Sequence, residues 1–291
     1  MFIILALFST FGYALQNALM TKFTRKWDSL SMTVYRSLSL WITMLPLLLF
    51  SKIENISFIY EYQFELILSS FCIIINIWVL YESYKYLPIW VASGLRSIGT
   101  VLTTIIISLF ILNEKLNFLV IGFIFITLFW WFILSAYRNN FNHLDNSKFL
   151  KWLIFTLISG ILSAIALVIM VKVSRNLDPF VSSYFWELEA WIVWVFVLFF
   201  RQKVFKKNIE KIWLKDFGKI VLASSPTFIG TMCFAIASLY WPVWIISAIW
   251  VLGIVFNIIF GIILFKEHLK IIQYFWVVLV MTGIIWIKVS M

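Results

Sequence analysis

The sequence lacks most of what a water-soluble enzyme is built from. Only 12% of its 291 residues are charged, against about a quarter in soluble domains. A chain that is 63% hydrophobic and 20% aromatic cannot hide that much apolar surface inside a soluble globule. Histidine and cysteine are scarce, two of each, and both histidines, His143 and His268, fall between apolar runs. Cys72 and Cys233 lie in different runs with no CxxC partner, so they read as packing residues and not as a disulfide or metal site. No glycine-rich phosphate loop and no Ser/His/Asp set at readable spacing occurs. Neither enzyme chemistry, a metal nor a cofactor is therefore expected.

Long apolar runs take the place of these features. About 20 apolar residues at a rise of 1.5 Å cross the hydrocarbon core. Ten such runs are expected, at 2–21, 29–51, 66–87, 88–112, 117–138, 150–171, 179–200, 217–240, 242–265 and 271–289. They are continuous, without the alternation of a transmembrane β-barrel. The first carries no basic leader and no small-residue cleavage motif, so it reads as a retained helix. The expected class is an all-α integral, multi-pass protein of the cell or inner membrane, partnered by the lipid bilayer.

The net charge of +10 does not indicate a nucleic-acid partner, because its distribution follows membrane topology. Odd-numbered loops hold sixteen Lys/Arg, seven of them between Arg201 and Lys219, whereas the even loops and the C-terminal tail hold five. The positive-inside rule then places the odd loops in the cytoplasm and both termini outside.

The chain also repeats itself. "TKFTRKWDSLSMTVYRSLSLW" (21–41) aligns with "VKVSRNLDPFVSSYFWELEAW" (171–191) at an offset of 150, which registers Arg25 with Arg175, Asp28 with Asp178 and Trp41 with Trp191. "LPIWVASGLRSIG" (87–99) aligns with "WPVWIISAIWVLG" (241–253) at an offset of 154, and Glu114 of "NEKL" falls over Glu267 of "KEHL". Each unit, 1–142 and 143–291, then holds five helices. An odd number forces the second to enter from the opposite side. Such inverted repeats suit alternating access around a central site.

These features resemble the drug/metabolite transporter superfamily, EamA-like branch: a five-plus-five duplication, Arg36 early in the second run, the "YLP" junction at 86–88 and the two Glu-Lys/His-Leu ends. The resemblance implies ten transmembrane helices as two inverted five-helix repeats around a central cavity. That cavity is lined by helices 3, 4, 8 and 9, with help from 1 and 6. Two features depart from the family: Phe275 stands opposite Gly122, and many relatives keep their termini in the cytoplasm.

Polar residues inside the runs nominate the site. Ser93, Arg96, Ser97, Thr100, Thr103, Thr104 and Ser108 recur every three or four residues and form one stripe. Its counterpart is Trp244, Ser247, Trp250 and Asn257, so Arg96 lies over Trp250, and likewise Arg36 over Trp186. Tyr13, Gln16 and Asn17 are further lining candidates on the first run, and Thr227 and Thr231 follow Pro226 where a helix can bend. Arg96 sits eight residues into its run, about 12 Å deep, and Arg36 about 10 Å. Either arginine holds a substrate anion or is locked to a carboxylate, Arg96 to Glu82 and Arg36 to Glu187 or Glu189.

The reading is a secondary transporter of a small polar metabolite, an amino acid or relative foremost. Arg96, Arg36, Ser93, Thr100, Ser247, Tyr13, Gln16, Trp186, Trp244 and Trp250 are its candidate binding residues. Glu187 and Glu82 are the candidates for proton coupling or ion pairing, and a homodimer is compatible with the design. The alternative substrate is an organic cation or quaternary amine in an aromatic cage. A lipid flippase or membrane-embedded enzyme, using the arginines on lipid phosphate, is the third reading.

Overall fold

A computed structural model describes residues 2–51, 53–115, 146–205 and 210–266, together with Ile121, Gly122, Phe125, Phe129 and Val278. The described residues form helices and connections, with no strand among them. In chain order the helices are α1 (Phe2–Thr24), α2 (Ser29–Met44), α3 (Gln63–Ser83), α4 (Ile89–Ile111), α5 (Asn146–Asn176), α6 (Pro179–Phe205), α7 (Leu214–Ser224), α8 (Pro226–Tyr240), α9 (Val243–Ile249) and α10 (Gly253–Phe265). Turns of 3₁₀-helix extend α2 over Leu45–Phe50 and join α9 to α10 over Trp250–Leu252. Eight spans are long and apolar enough to cross a membrane among the described residues. The protein is an integral multi-pass membrane protein. The expected runs at 117–138 and 271–289, with Glu267, Phe275, His143 and His268, lie outside the described residues, apart from the single residues named above.

Local chemistry sets the helix ends. Asp28 caps α2 by accepting from the Ser31 N–H at 3.0 Å and its hydroxyl at 2.9 Å. Asp178 caps α6 from the aligned position, accepting from the N–H groups of Phe180 and Val181 at 2.8 and 2.9 Å. Pro88 and Pro242 precede the first residues of α4 and α9, where a missing N–H breaks no helical bond. Pro226 divides the expected eighth run into α7 and α8 for the opposite reason: inside a run it cannot donate to the preceding turn. The ninth run is likewise interrupted, at Trp250.

Other contacts recur at the same offsets. Arg25 Nε donates to the Tyr84 carbonyl at 3.1 Å, and Arg175 Nε to the Ser238 carbonyl at 2.9 Å. Trp41 and Trp191 stack with ring centroids 5.2 Å apart and planes 7° from parallel, joining α2 to α6. Glu114 is only 5% exposed and ion-paired with Arg175 at 2.8 Å. Its carboxylate also accepts from the Val243 N–H at 2.9 Å, so it ties α4 to the start of α9.

Helix crossing fixes where the cavity walls stand. A Cβ on Gly99 of α4 would lie 2.6 Å from the Leu157 carbonyl, and one on Gly160 of α5 would run into the Arg96 carbonyl. Only glycine lets these backbones touch. That contact presses the Arg96 turn of α4 against α5. The outward faces carry residues such as Leu49, Phe110 and Ile263, exposed as a lipid-facing surface is. Cys72 and Cys233 are both free.

Candidate central binding cavity

A cavity lined by both polar and apolar side chains lies among α1 to α6, α9 and α10, with a volume of about 100 Å³. It has room for several waters or a small solute. Tyr13 and Gln16 enter it from α1, Arg36 from α2, Ser93, Arg96 and Thr100 from α4, Trp186 and Glu187 from α6, and Ser247 and Trp250 from the α9–α10 span. The structure thus brings ten of the twelve candidate residues to one cavity.

Trp244 and Glu82 do not line it. Trp244 is buried in the apolar core with its indole N–H unpartnered among the described residues. Each three-residue step along a helix falls about 60° short of a full turn. Two such steps from Trp250 carry Trp244 off the cavity face. Glu82 belongs to the last turn of α3, which ends at Ser83. There it pairs with Lys85 at 3.1 Å, with 28% of its side chain exposed. The expected lock between Arg96 and Glu82 is absent for this reason: α3 does not carry Glu82 down to the depth of Arg96.

Arg96 is held by neutral groups instead. Nε donates to Asn76 Oδ1 at 3.1 Å and Nη2 to Ser163 Oγ at 3.0 Å. Ser159 Oγ donates to the same Asn76 oxygen at 2.8 Å. Two donors on Oδ1 fix the amide's orientation. Thr100 Oγ1 adds a link at 3.1 Å to the Gly160 carbonyl, where α4 crosses α5. Sequence reasoning missed Asn76, Ser159 and Ser163. The signal for Asn76 was present, since Ser69, Asn76 and Ser83 recur every seven residues along α3, one helical face.

The opposite wall is aromatic. Tyr13 and Trp250 meet edge-on with ring centroids 5.3 Å apart, and Phe234 lies 4.9 Å from Trp250. The Tyr13 hydroxyl shares a hydrogen bond with Thr231 Oγ1 at 2.9 Å, and Trp250 Nε1 donates to Ser9 Oγ at 3.3 Å. Ser247 Oγ donates back to the Trp244 carbonyl at 2.9 Å, which leaves it a lone pair but no free proton. Near this wall the 3₁₀ turn at Trp250–Leu252 breaks helical regularity, as often happens at functional hinges.

Arg36 and Glu187 are 7% and 6% exposed and face the same cavity. Among the described residues neither makes an ion pair within 4 Å, and the expected partner Glu189 is taken by the Gln63 side-chain amide. The cavity therefore holds two guanidinium groups and one carboxylate with no direct pair among them. Gln16 Nε2, Trp186 Nε1 and Asn257 Oδ1 also line it without a protein partner among the described residues. Buried polar groups are nearly always hydrogen-bonded. Other such atoms, those of Trp244 and Trp194 among them, lie away from the cavity.

The EamA-like transporter family model matches residues 1–135 of the chain. No curated protein matches it. A solved crystal structure of a protein superposes with a TM-score of 0.69 at 10% identity, over 95% of this chain and 94% of the other. At that identity the likeness is one of fold.

Proposed function

From a chain whose first 135 residues belong to the EamA-like transporter family, we propose a secondary transporter for a small carboxylate-bearing metabolite, an amino acid or close relative. Membrane transport of a small molecule is the family's activity; the substrate class is our reading. The observation that carries it is the pair Arg36 and Arg96, both in one cavity and neither neutralised by a carboxylate within 4 Å. A guanidinium with no directly paired carboxylate is costly at membrane depth, and a bound carboxylate offsets that cost through paired, charge-assisted hydrogen bonds. Glu187 suits an ammonium on the same solute, or a coupling proton. The small cavity volume favours a metabolite over a lipid.

Residues 1–142 and 143–291 form two inverted five-helix units that rock about this cavity, with odd loops in the cytoplasm. The contacts recurring at offsets of 150 and 154 support this reading. The Arg25–Tyr84 and Arg175–Ser238 bonds occupy aligned positions, and the Trp41–Trp191 stack pairs two aligned residues. An organic cation is the second reading, favoured by the Tyr13 and Trp250 rings, which line the cavity together with Glu187. Counterflow in proteoliposomes separates the two. The carboxylate reading requires that Arg96→Ala abolish amino-acid counterflow while Trp250→Ala spares most of it. Loss of quaternary-amine uptake in Trp250→Ala, with amino-acid counterflow intact in Arg96→Ala, would establish the cation instead.

A further inference from the structure

A second, larger space lies outside the central cavity. It is a lateral cleft of about 560 Å³ between α2, α3 and α6. Phe71, Ile75 and Trp78 of α3 form one wall, and Trp194, Val197 and Phe200 of α6 the other. Asp28, Glu82 and Arg201 close one end. Phe71 and Glu82 are eleven residues apart on α3, about 16 Å at the helical rise. One leaflet of the hydrocarbon core is about 15 Å deep. The cleft is therefore one leaflet long, apolar along its length and ionic at a single end.

The ionic end is specific in what it leaves unused. Arg201 donates Nη1 and Nη2 to Asp28 at 2.6 and 3.3 Å, and Glu82 accepts from Lys85 through Oε2. Arg201 Nε and Glu82 Oε1 take no part in these pairs. Arg201 with Asp28 and Lys85 with Glu82 form two ion pairs, and the Glu210 carboxylate accepts from the Asp28 N–H at 2.8 Å. One cationic N–H donor and one anionic acceptor at the same mouth complement a zwitterion whose anion and N–H-bearing cation are close together.

We infer that this cleft is a binding site for an aminophospholipid: one acyl chain lies between α3 and α6, the phosphate meets Arg201 and the primary ammonium meets Glu82. An anionic headgroup would face two carboxylates without an ammonium to offer them. A choline headgroup would bring charge but no N–H for Glu82. The occupant packs against α6, whose inner face carries Trp186 and Glu187, so lipid in the cleft bears on the helix that completes the central cavity. The inference does not depend on which solute that cavity takes.

Native mass spectrometry of the detergent-purified full chain tests it, with palmitoyl-oleoyl phosphatidylethanolamine, phosphatidylcholine and phosphatidylglycerol supplied at equal concentration. The ethanolamine lipid should be retained about tenfold better than either competitor, the worth of one charge-assisted hydrogen bond. Glu82→Gln should erase that preference, and Ile75→Trp, which fills the cleft, should lower retention of all three lipids. Thermal melts of both variants confirm that they remain folded. Equal retention of the three lipids, preference for phosphatidylglycerol, a second copy in place of lipid, or unchanged retention in both folded variants would overturn the assignment.

Discussion

The two walls of the central cavity solve the same packing problem with different chemistry. On one, Arg96 reaches across to α5 through Ser163 and to α3 through Asn76. On the other, Trp250, aligned with Arg96 in the repeat, reaches across to α1 through Ser9. Both side chains bond a neighbouring helix and both line the cavity. One brings a full charge held only by neutral partners; the other brings a ring. On the proposed reading, the difference lies in what a ligand would supply: an anion at the Arg96 wall and a flat or apolar body at the Trp250 wall.

Breaking the Arg96 wall at its foundation should have the largest effect. Gly160→Leu forces α4 and α5 apart at a backbone contact and should cost several kcal/mol, about the range of severe overpacking. Gly218→Leu, where nothing lies within 4 Å of the added Cβ, is the control. The yield and thermal midpoint of folded protein in detergent would read the contrast, and equal behaviour of the two variants would show that the crossing is not tight.

Removing the charge comes next. Arg96→Ala should weaken carboxylate binding by about 10- to 100-fold, the worth of charged hydrogen bonds. Asn76→Leu, which leaves the charge but frees its position, should cost about tenfold or less. A wild-type affinity in Asn76→Leu would mean that Ser163 alone positions the guanidinium. On the other wall, Trp250→Phe keeps the ring but loses the Ser9 bond, and should change carboxylate affinity by about twofold.

The smallest effect concerns the loop before α2. Partial burial disfavours the charged form of Asp28, but the Arg201 guanidinium and the Ser31 N–H and hydroxyl outweigh it, so its carboxyl stays below the ordinary value. A depressed acid contributes stability that is fully present above its unfolded pKa, about 3.9, and is lost as pH falls through the lower folded value. Asp28→Asn should flatten that acid limb and cost about 1 kcal/mol or less at neutral pH, because the pair is part-exposed. A thermal midpoint followed from pH 7 to pH 3 would show it.

The sequence made the helices legible because lipid enforces them: each run must satisfy its own backbone, so length and apolarity suffice. The stripe Ser93–Arg96–Ser97–Thr100 was legible because a 3.6-residue period puts it on one face. Glu82 was misplaced because its depth was counted from the "YLP" junction, whereas α3 ends four residues earlier. Trp244 was misplaced because a stripe built on three-residue steps drifts around the helix. Asn76 went unnoticed as a single amide in an apolar run, although its seven-residue spacing with Ser69 and Ser83 marked the face that meets α5.

The central claim is that the cavity's unpaired guanidinium groups bind a carboxylate. A thermal-shift titration of the purified protein with amino acids and with their carboxyl-blocked amides tests it directly, since a ligand that binds only the folded state raises its midpoint. At least one free amino acid should stabilise the wild type, while its amide does not and Arg96→Ala does not respond. Equal stabilisation by acid and amide, or an undiminished response in Arg96→Ala, would contradict the account.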